Sequence, residues 1–336
     1  MLNRVEIKNF TVFSELNIGF SEGVNVLIGE NGTGKTHVMK LLYAACKAAR
    51  FKKTGIDFPT KLIRSFQPDE HAISRLVRKE KGVASAEIRI ETDKGNQIML
   101  GLSARKKEVI LNNHDDWDDE IGKKECTFIP AKEILSHSKN LIAAIESGNV
   151  EFDDTYKDII TAASVDLNRN GIAEADYEKY LDRLYSVTNG RVEVSDEEFY
   201  LISKSKTKLE FQLVSEGIRK LALLWQLIKN GVLRKGSILF WDEPEANINP
   251  VNIPLIVNLL LDLAAEGVQV FVATHDYFLA KYIELRKREV SPVKYLSFYK
   301  DGDMLLCEEA DTFTSLDKNS IISEQYRMYY EEVGQI

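Results

Sequence analysis

Between Gly29 and Thr36 the chain reads Gly-Glu-Asn-Gly-Thr-Gly-Lys-Thr, a match to G-x-x-x-x-G-K-[ST]. This loop constrains the fold because it works only between a strand and the helix that follows. Both flanks are legible. Gly23 to Ile28 is a short apolar, β-branched run, and Val38 to Ala49 carries Leu41, Leu42 and Ala45 on one helical face. The glycines let the backbone curl until successive N–H groups point at phosphate oxygens, and the helix adds its positive end. The expected nucleotide-binding set is Gly29, Asn31, Gly32, Thr33, Gly34, Lys35, Thr36 and His37. Lys35 is expected at the β- and γ-phosphates and the Thr36 hydroxyl at Mg²⁺.

A phosphate loop needs a carboxylate partner. Ser237 to Glu243 supplies a buried strand ending in two acids. Asp242 is placed to hold Mg²⁺, and Glu243 can polarise an attacking water. Leu213-Val214-Ser215-Glu216-Gly217 precedes an apolar helix from Ile218 to Ile228, so Ser215 and Gly217 form a second phosphate-binding end. Val268 to Ala273 is another buried strand, and His275 just beyond its tip can sense a γ-phosphate.

Bulk properties fit a soluble α/β protein: 336 residues, 44% hydrophobic and 29% charged. No apolar stretch approaches the roughly eighteen residues that a membrane span needs. The N-terminus lacks a signal-peptide pattern, and Cys46, Cys126 and Cys307 form no paired framework, so a reducing cytoplasm is expected. A net charge of −8 argues against a surface that is basic throughout. Local basic clusters at Arg105-Lys106-Lys107, Lys204/Lys206/Lys208 and Arg286-Lys287-Arg288 leave nucleic-acid contact open.

Along the chain, Leu2 to Lys8 and Val12 to Phe20 read as strands. Lys61 to Lys81 reads as a helix, and Ala84 to Thr92, Gln97 to Leu102 and Glu108 to Asn112 as a small antiparallel lobe. Asn113 to Lys124 reads as an acidic loop, Glu133 to Tyr185 as a helical subdomain, and Arg191 to Leu213 as strands carrying lysines. From Ser215 onward helix and strand alternate, the pattern of a mostly parallel sheet. The expected partition is a nucleotide-binding lobe at 1–132, an inserted helical and β subdomain at 133–212, and the second half of the core at 213–336. About sixty residues follow His275, short for an appended catalytic domain. Asp166 to Gly171 begins like a calcium loop, but position twelve is Tyr177 where a glutamate is needed. His114 to Glu120 has ligand types without scaffold spacing, and no NKxD motif speaks for GTP.

The order of these pieces resembles ABC-type ATPases: GENGTGKT, Ser-Glu-Gly before a helix, a strand ending in Asp-Glu-Pro-Glu, then a strand ending in His. Val5 to Phe10 is similar to the opening of the SMC/RecF branch. Asp242 to Pro250 (DEPEANINP) is similar to the DEPEAxLHP stretch of compact OLD-like ATPases, with Asn249 where histidine is usual. Phe128 to Ser136 and Phe152 to Tyr156 also resemble stretches of those proteins. The resemblance implies an α/β P-loop NTPase with an ABC-type head, mostly parallel sheet, an antiparallel β lobe and a helical insert. It implies a dimer, homodimeric or with a related head, with ATP held between one P-loop and Ser215 to Gly217 of the other subunit. Glu243 and His275 would then carry hydrolysis. The second signature glycine is missing and Lys132 or Glu133 occupies the Q-loop region, so slow turnover is expected. Three roles are compatible with such a head: a switch for an effector protein in a bacterial defence or toxin–antitoxin-like system, a RecF-like DNA clamp, and a transporter's energy-coupling subunit. The missing Ser-Gly-Gly-Gln signature weighs against the last.

Overall fold

The computed structural model describes residues 1–105, 109–148, 150–165, 172–289 and 291–334, with side chains from 177 onward in the helix that begins at Ile172. In chain order its strands are β1 (Leu2–Phe10), β2 (Phe13–Gly19), β3 (Val24–Gly29), β4 (Ser85–Thr92), β5 (Gln97–Ser103), β6 (Val109–Asn112), β7 (Cys126–Ile129), β8 (Gly190–Ser195), β9 (Glu198–Ser203), β10 (Lys208–Glu210), β11 (Ile238–Asp242), β12 (Gln269–Ala273), β13 (Val293–Asp301) and β14 (Met304–Ala310).

Six of them form the central sheet in the order β14-β13-β3-β12-β11-β7. All its neighbours run parallel except the β13–β14 hairpin at the edge. β3, β11 and β12 are buried at every position, as parallel strands covered on both faces must be. The two faces feed separate cores. Leu27, Phe128, Phe240 and Phe271 pack toward the P-loop helix, Lys35–Ala48. Val26, Leu239, Trp241 and Val272 pack toward helices Glu216–Lys229, Ile253–Ala265 and Tyr277–Arg286. Phosphate loop and carboxylates therefore meet at the carboxyl ends of β3 and β11, parallel strands on either side of β12, where α/β sheets carry their sites.

The antiparallel lobe is larger than the three runs after Gly82 suggest. β1 and β2 join it, giving the order β2-β1-β4-β5-β6. Val5 and Ile7 alternate inward with Ile88, Ile90, Ile98 and Leu100, and this layer shares a core with Leu41, Leu42 and Ala45 of the P-loop helix. Period-two burial identifies each strand, but pairing between residues about eighty positions apart is a tertiary decision.

Two expectations need correction. Lys61 to Lys81 is not one helix: the helix is Phe58–Phe66, and only short 3₁₀ turns follow as far as Leu76. Asp57 starts it by accepting from Thr60 N, Pro59 sits in the first turn, and Gln67 leaves helical geometry (φ 49°) ahead of Pro68. Asn113 to Lys124 is not a loop: His114–Ile121 is helical. Trp117 and Ile121, four residues apart, are fully buried, and Trp117 Nε1 donates to Ala45 O at 3.2 Å. Two apolar residues at helical spacing outweighed the acidic composition around them.

The insert holds helices Leu141–Glu146, Asp154–Ser164 and Ile172–Thr188, then the three-stranded sheet β10-β9-β8. The calcium-loop-like stretch 166–171 lies outside the described residues, as do Lys106 and Lys107 of the first basic cluster. No helix among the described residues is long and apolar enough to cross a membrane.

Candidate functional site

β3 ends at Gly29 with φ 140°, and a Cβ there would lie 2.2 Å from Phe298 O on neighbouring β13. Only glycine fits. Gly29→Ala is expected to cost about 3 kcal/mol in chemical denaturation, combining a forbidden φ with a backbone clash. Inside the loop, Thr33 Oγ1 donates to Glu30 O at 2.8 Å. Lys35 Nζ donates to Gly29 O at 2.7 Å and Glu30 O at 3.0 Å. Lys35 as a whole is 7% exposed. Burial lowers its pKa, opposed by the carboxylates of Glu243, Asp242 and Glu245.

Thr36 Oγ1 donates to Asp242 Oδ2 at 3.0 Å, joining the start of the P-loop helix to the tip of β11. A hydroxyl and a buried carboxylate beside a phosphate loop are the hard oxygen ligands that suit Mg²⁺. Burial raises the Asp242 pKa, while the Thr36 hydrogen bond, Lys40 and Lys35 pull against it. The chain turns sharply after Asp242: Glu243 has φ 48°, and its N–H donates to Ala273 O at 2.9 Å. Glu243 Oε1 lies 2.8 Å from Nδ1 of His275, whose ring is 58% exposed.

Glu245 belongs to the same cluster. Thr274 Oγ1 donates to its Oε1 at 2.5 Å, and one ligand atom each from Glu243, Glu245 and His275 lies within 4.8 Å of the others. Burial first, and then Glu243, push the Glu245 carboxyl up to about 8. Glu243 Oε2 and Glu245 Oε2 are both buried without another donor, so a single proton between them is the economical arrangement. The sign follows. The folded chain keeps a proton that the unfolded chain releases near pH 4.5, so this pair lowers stability as pH rises from about 4.5 to 8. Glu245→Gln mimics the protonated form and should stabilise the protein by about 1–3 kcal/mol at pH 8.5, with the gain vanishing below pH 4.5. Denaturation curves at the two pH values check it.

Ionic contacts brace the P-loop helix and helix Phe58–Phe66 against the insert. Lys40 pairs with Asp153, and Lys61 Nζ donates to Asp154 at 2.7 Å and Asp158 at 2.6 Å. Tyr43 OH donates to Asp158 at 2.5 Å. Burial alone would raise the Asp158 pKa, but Lys61, Lys47 and the hydrogen bonds outweigh it and hold it low. The Phe152 to Tyr156 stretch singled out above thus contributes a brace, with Asp153 also capping its helix.

The remaining expected residues lie elsewhere. The His37 ring is half-buried edge-on against Phe66 at 5.5 Å, and burial lowers its pKa. Packing occupies its side chain, leaving its backbone N–H as the group suited to phosphate. Ser215 is exposed at the N-terminus of helix Glu216–Lys229, and Gly217 packs on Asn247 and Ile248. Neither is drawn into the cluster around Asp242. Glu133 is buried and pairs with Arg219 at 2.5 Å. Asn249, where histidine is usual, accepts from Val251 N at 3.1 Å and caps the turn before helix Ile253–Ala265. Sequence reasoning missed the parts played by Glu245, Thr274 and Lys220; the second glutamate of Glu-Pro-Glu was the available signal.

Residues 24–281 match the family model described as "AAA domain, putative AbiEii toxin, Type IV TA system". Among curated proteins, the DNA replication and repair protein RecF of Streptococcus suis (strain 05ZYH33) is 35% identical over 113 residues, 34% of this chain and 29% of that one. RecF of Pediococcus pentosaceus is 26% identical over 239 residues, 64% and 60% of the two chains. The chain thus spans less than two thirds of these relatives. Among solved structures, the SMC head domain from Thermotoga maritima aligns with TM-score 0.52 at 15% identity, covering 92% of this chain and 98% of that one. An SmcHead bound to the C-winged helix domain of ScpA aligns with TM-score 0.61 at 12% identity, covering 94% and 98%. With three quarters of its length inside one family model, the chain belongs to the AAA-domain family described there, and its fold is that of the SMC head domains it aligns with.

Proposed function

We propose that this chain is a Mg²⁺-dependent ATPase head that dimerises across ATP and serves as a conformational switch for a partner effector. The observation that carries the reading is the pair of contacts at the strand tips: Thr36 to Asp242 at 3.0 Å, and Glu243 to His275 at 2.8 Å. Lys35 and the loop amides, with that of His37, bind the phosphates. Thr36 and Asp242 hold Mg²⁺, which when bound neutralises phosphate charge. Glu243 takes the proton of the attacking water, and His275 orients Glu243 and meets the γ-phosphate. Purified protein should release phosphate from ATP only with Mg²⁺, and release that persists in EDTA would overturn the assignment of Thr36 and Asp242.

The dimer reading is supported by what the chain leaves uncovered. Leu213 beside the signature and Val251 after DEPEANINP are 73% and 75% exposed, more than the other exposed large hydrophobics. Both adjoin groups that would face the partner's nucleotide, and ATP binding would shift an open–closed equilibrium by bridging the two faces. The match to a toxin–antitoxin family supports a switch that serves a partner effector in a defence or toxin–antitoxin-like system.

A second reading is favoured by the RecF matches: the ATP-closed dimer clamps DNA directly. It requires ATP hydrolysis that DNA stimulates and that loses the stimulation steeply as salt rises. Turnover indifferent to DNA at low salt would remove it.

A further inference from the structure

Lys220 is fully buried in the first turns of helix Glu216–Lys229, an unusual place for an ammonium. Its Nζ donates to Ala246 O at 2.8 Å and to Glu243 O at 3.3 Å. These two carbonyls bracket the loop that follows β11. A carbonyl's direction fixes ψ of its own residue and φ of the next, so the amine fixes ψ of Glu243 and φ of Asn247. Both residues are left-handed: Glu243 has φ 48°, costly for a glutamate, and Asn247 has φ 63°, which asparagine tolerates better. The adjoining turn reinforces the contact, since a Cβ on Gly217 would lie 2.7 Å from Asn247 O.

Resting on the hydrolysis reading above, we propose that Lys220 is a positioning residue for Glu243. It clamps the Glu243–Asn247 loop so that the carboxylate is presented to the attacking water, and it ties that geometry to the helix beginning at Ser215. Lys220 touches no reacting atom. Its ammonium holds peptide groups, and the nearby acids Glu216, Glu245, Glu243 and Glu133 favour its charged form against the cost of burial. A displacement at Ser215, where the other subunit's nucleotide is expected, would move Lys220 and Gly217 with the helix and so reach Glu243.

The test uses the full chain with Lys220→Met, which keeps the apolar stem, and Lys220→Arg, which keeps the donors. For Lys220→Met, kcat should fall about ten- to hundredfold while KM for ATP stays within about twofold, and Lys220→Arg should recover most of the loss. Unchanged kcat overturns the proposal, as does a loss that tracks KM and melting temperature and is not restored by arginine. Amide exchange across 243–248 in the nucleotide-free protein gives an independent readout. It should quicken at least about tenfold in Lys220→Met and leave 29–36 unaffected. No change there overturns the clamp even if the kinetics move. Were the wild type to hydrolyse no ATP, the hydrolysis reading would fail, and the exchange experiment would still decide the clamp.

Discussion

Lys35→Ala is expected to weaken ATP binding at least a hundredfold by calorimetry, with the fold intact. The lysine is the buried cation of the phosphate loop, with Nζ 2.7 Å from Gly29 O and 3.0 Å from Glu30 O. Three carboxylates stand near it, from Glu243, Asp242 and Glu245. Without Lys35, a polyphosphate would enter a site whose nearest side-chain charges are negative, and only backbone amides and the helix end would remain to hold it. A hundredfold loss is about 2.7 kcal/mol, a modest figure for a partly desolvated charge pair. Stability should change little, because the same substitution removes the cost of burying an ammonium. Unchanged ATP affinity would sink the assignment.

Glu243→Gln is expected to lower turnover by about a hundred- to a thousandfold while ATP affinity is kept. The amide can retain the contact to His275 through its oxygen, and a neutral side chain no longer competes with Glu245 for a proton. The variant cannot accept the proton of an attacking water. ATP that binds but is not cleaved should then accumulate the bridged form, so the native mass of the 38.2 kDa chain should double with Mg-ATP and not without it. Normal turnover would place the base elsewhere. An additional protein retained with ATP after purification from the native host would make the chain one half of a complex, and its biological role would be read from that companion.

Much of the site was legible because it is local. Gly29 to Thr36 and Asp242-Glu243 are each short segments whose proposed roles are read from backbone form and residue type, and the structure places Thr36 and Asp242 in contact. Strand periodicity also survived: β4 and β5 bury alternate residues as their sequences suggest. The misses arose where a few contacts overrode composition. Trp117 and Ile121 turned an acidic stretch into a helix, and Gln67-Pro68 ended a helix that the residues beyond seemed to continue. Glu245 was seen as part of a motif, yet its proton depends on Thr274 and on a neighbour's charge, which no local pattern reports.

By itself, then, the sequence determined that this chain carries a phosphate loop on a strand–loop–helix and a second acidic strand tip. Each is a short-range property of backbone geometry and hydrophobic period, while the order of the parts resembles that of an ABC-type head. Only the tertiary structure decided that β1 and β2 join the antiparallel lobe, that Lys40–Asp153 and Lys61–Asp154 tie the P-loop helix and helix Phe58–Phe66 to the insert, and that Lys220 grips the loop of Glu243. The reason is physical. Buried charges and strand edges must find partners, and those partners lie tens to hundreds of residues away, where only the packed chain brings them within hydrogen-bonding distance.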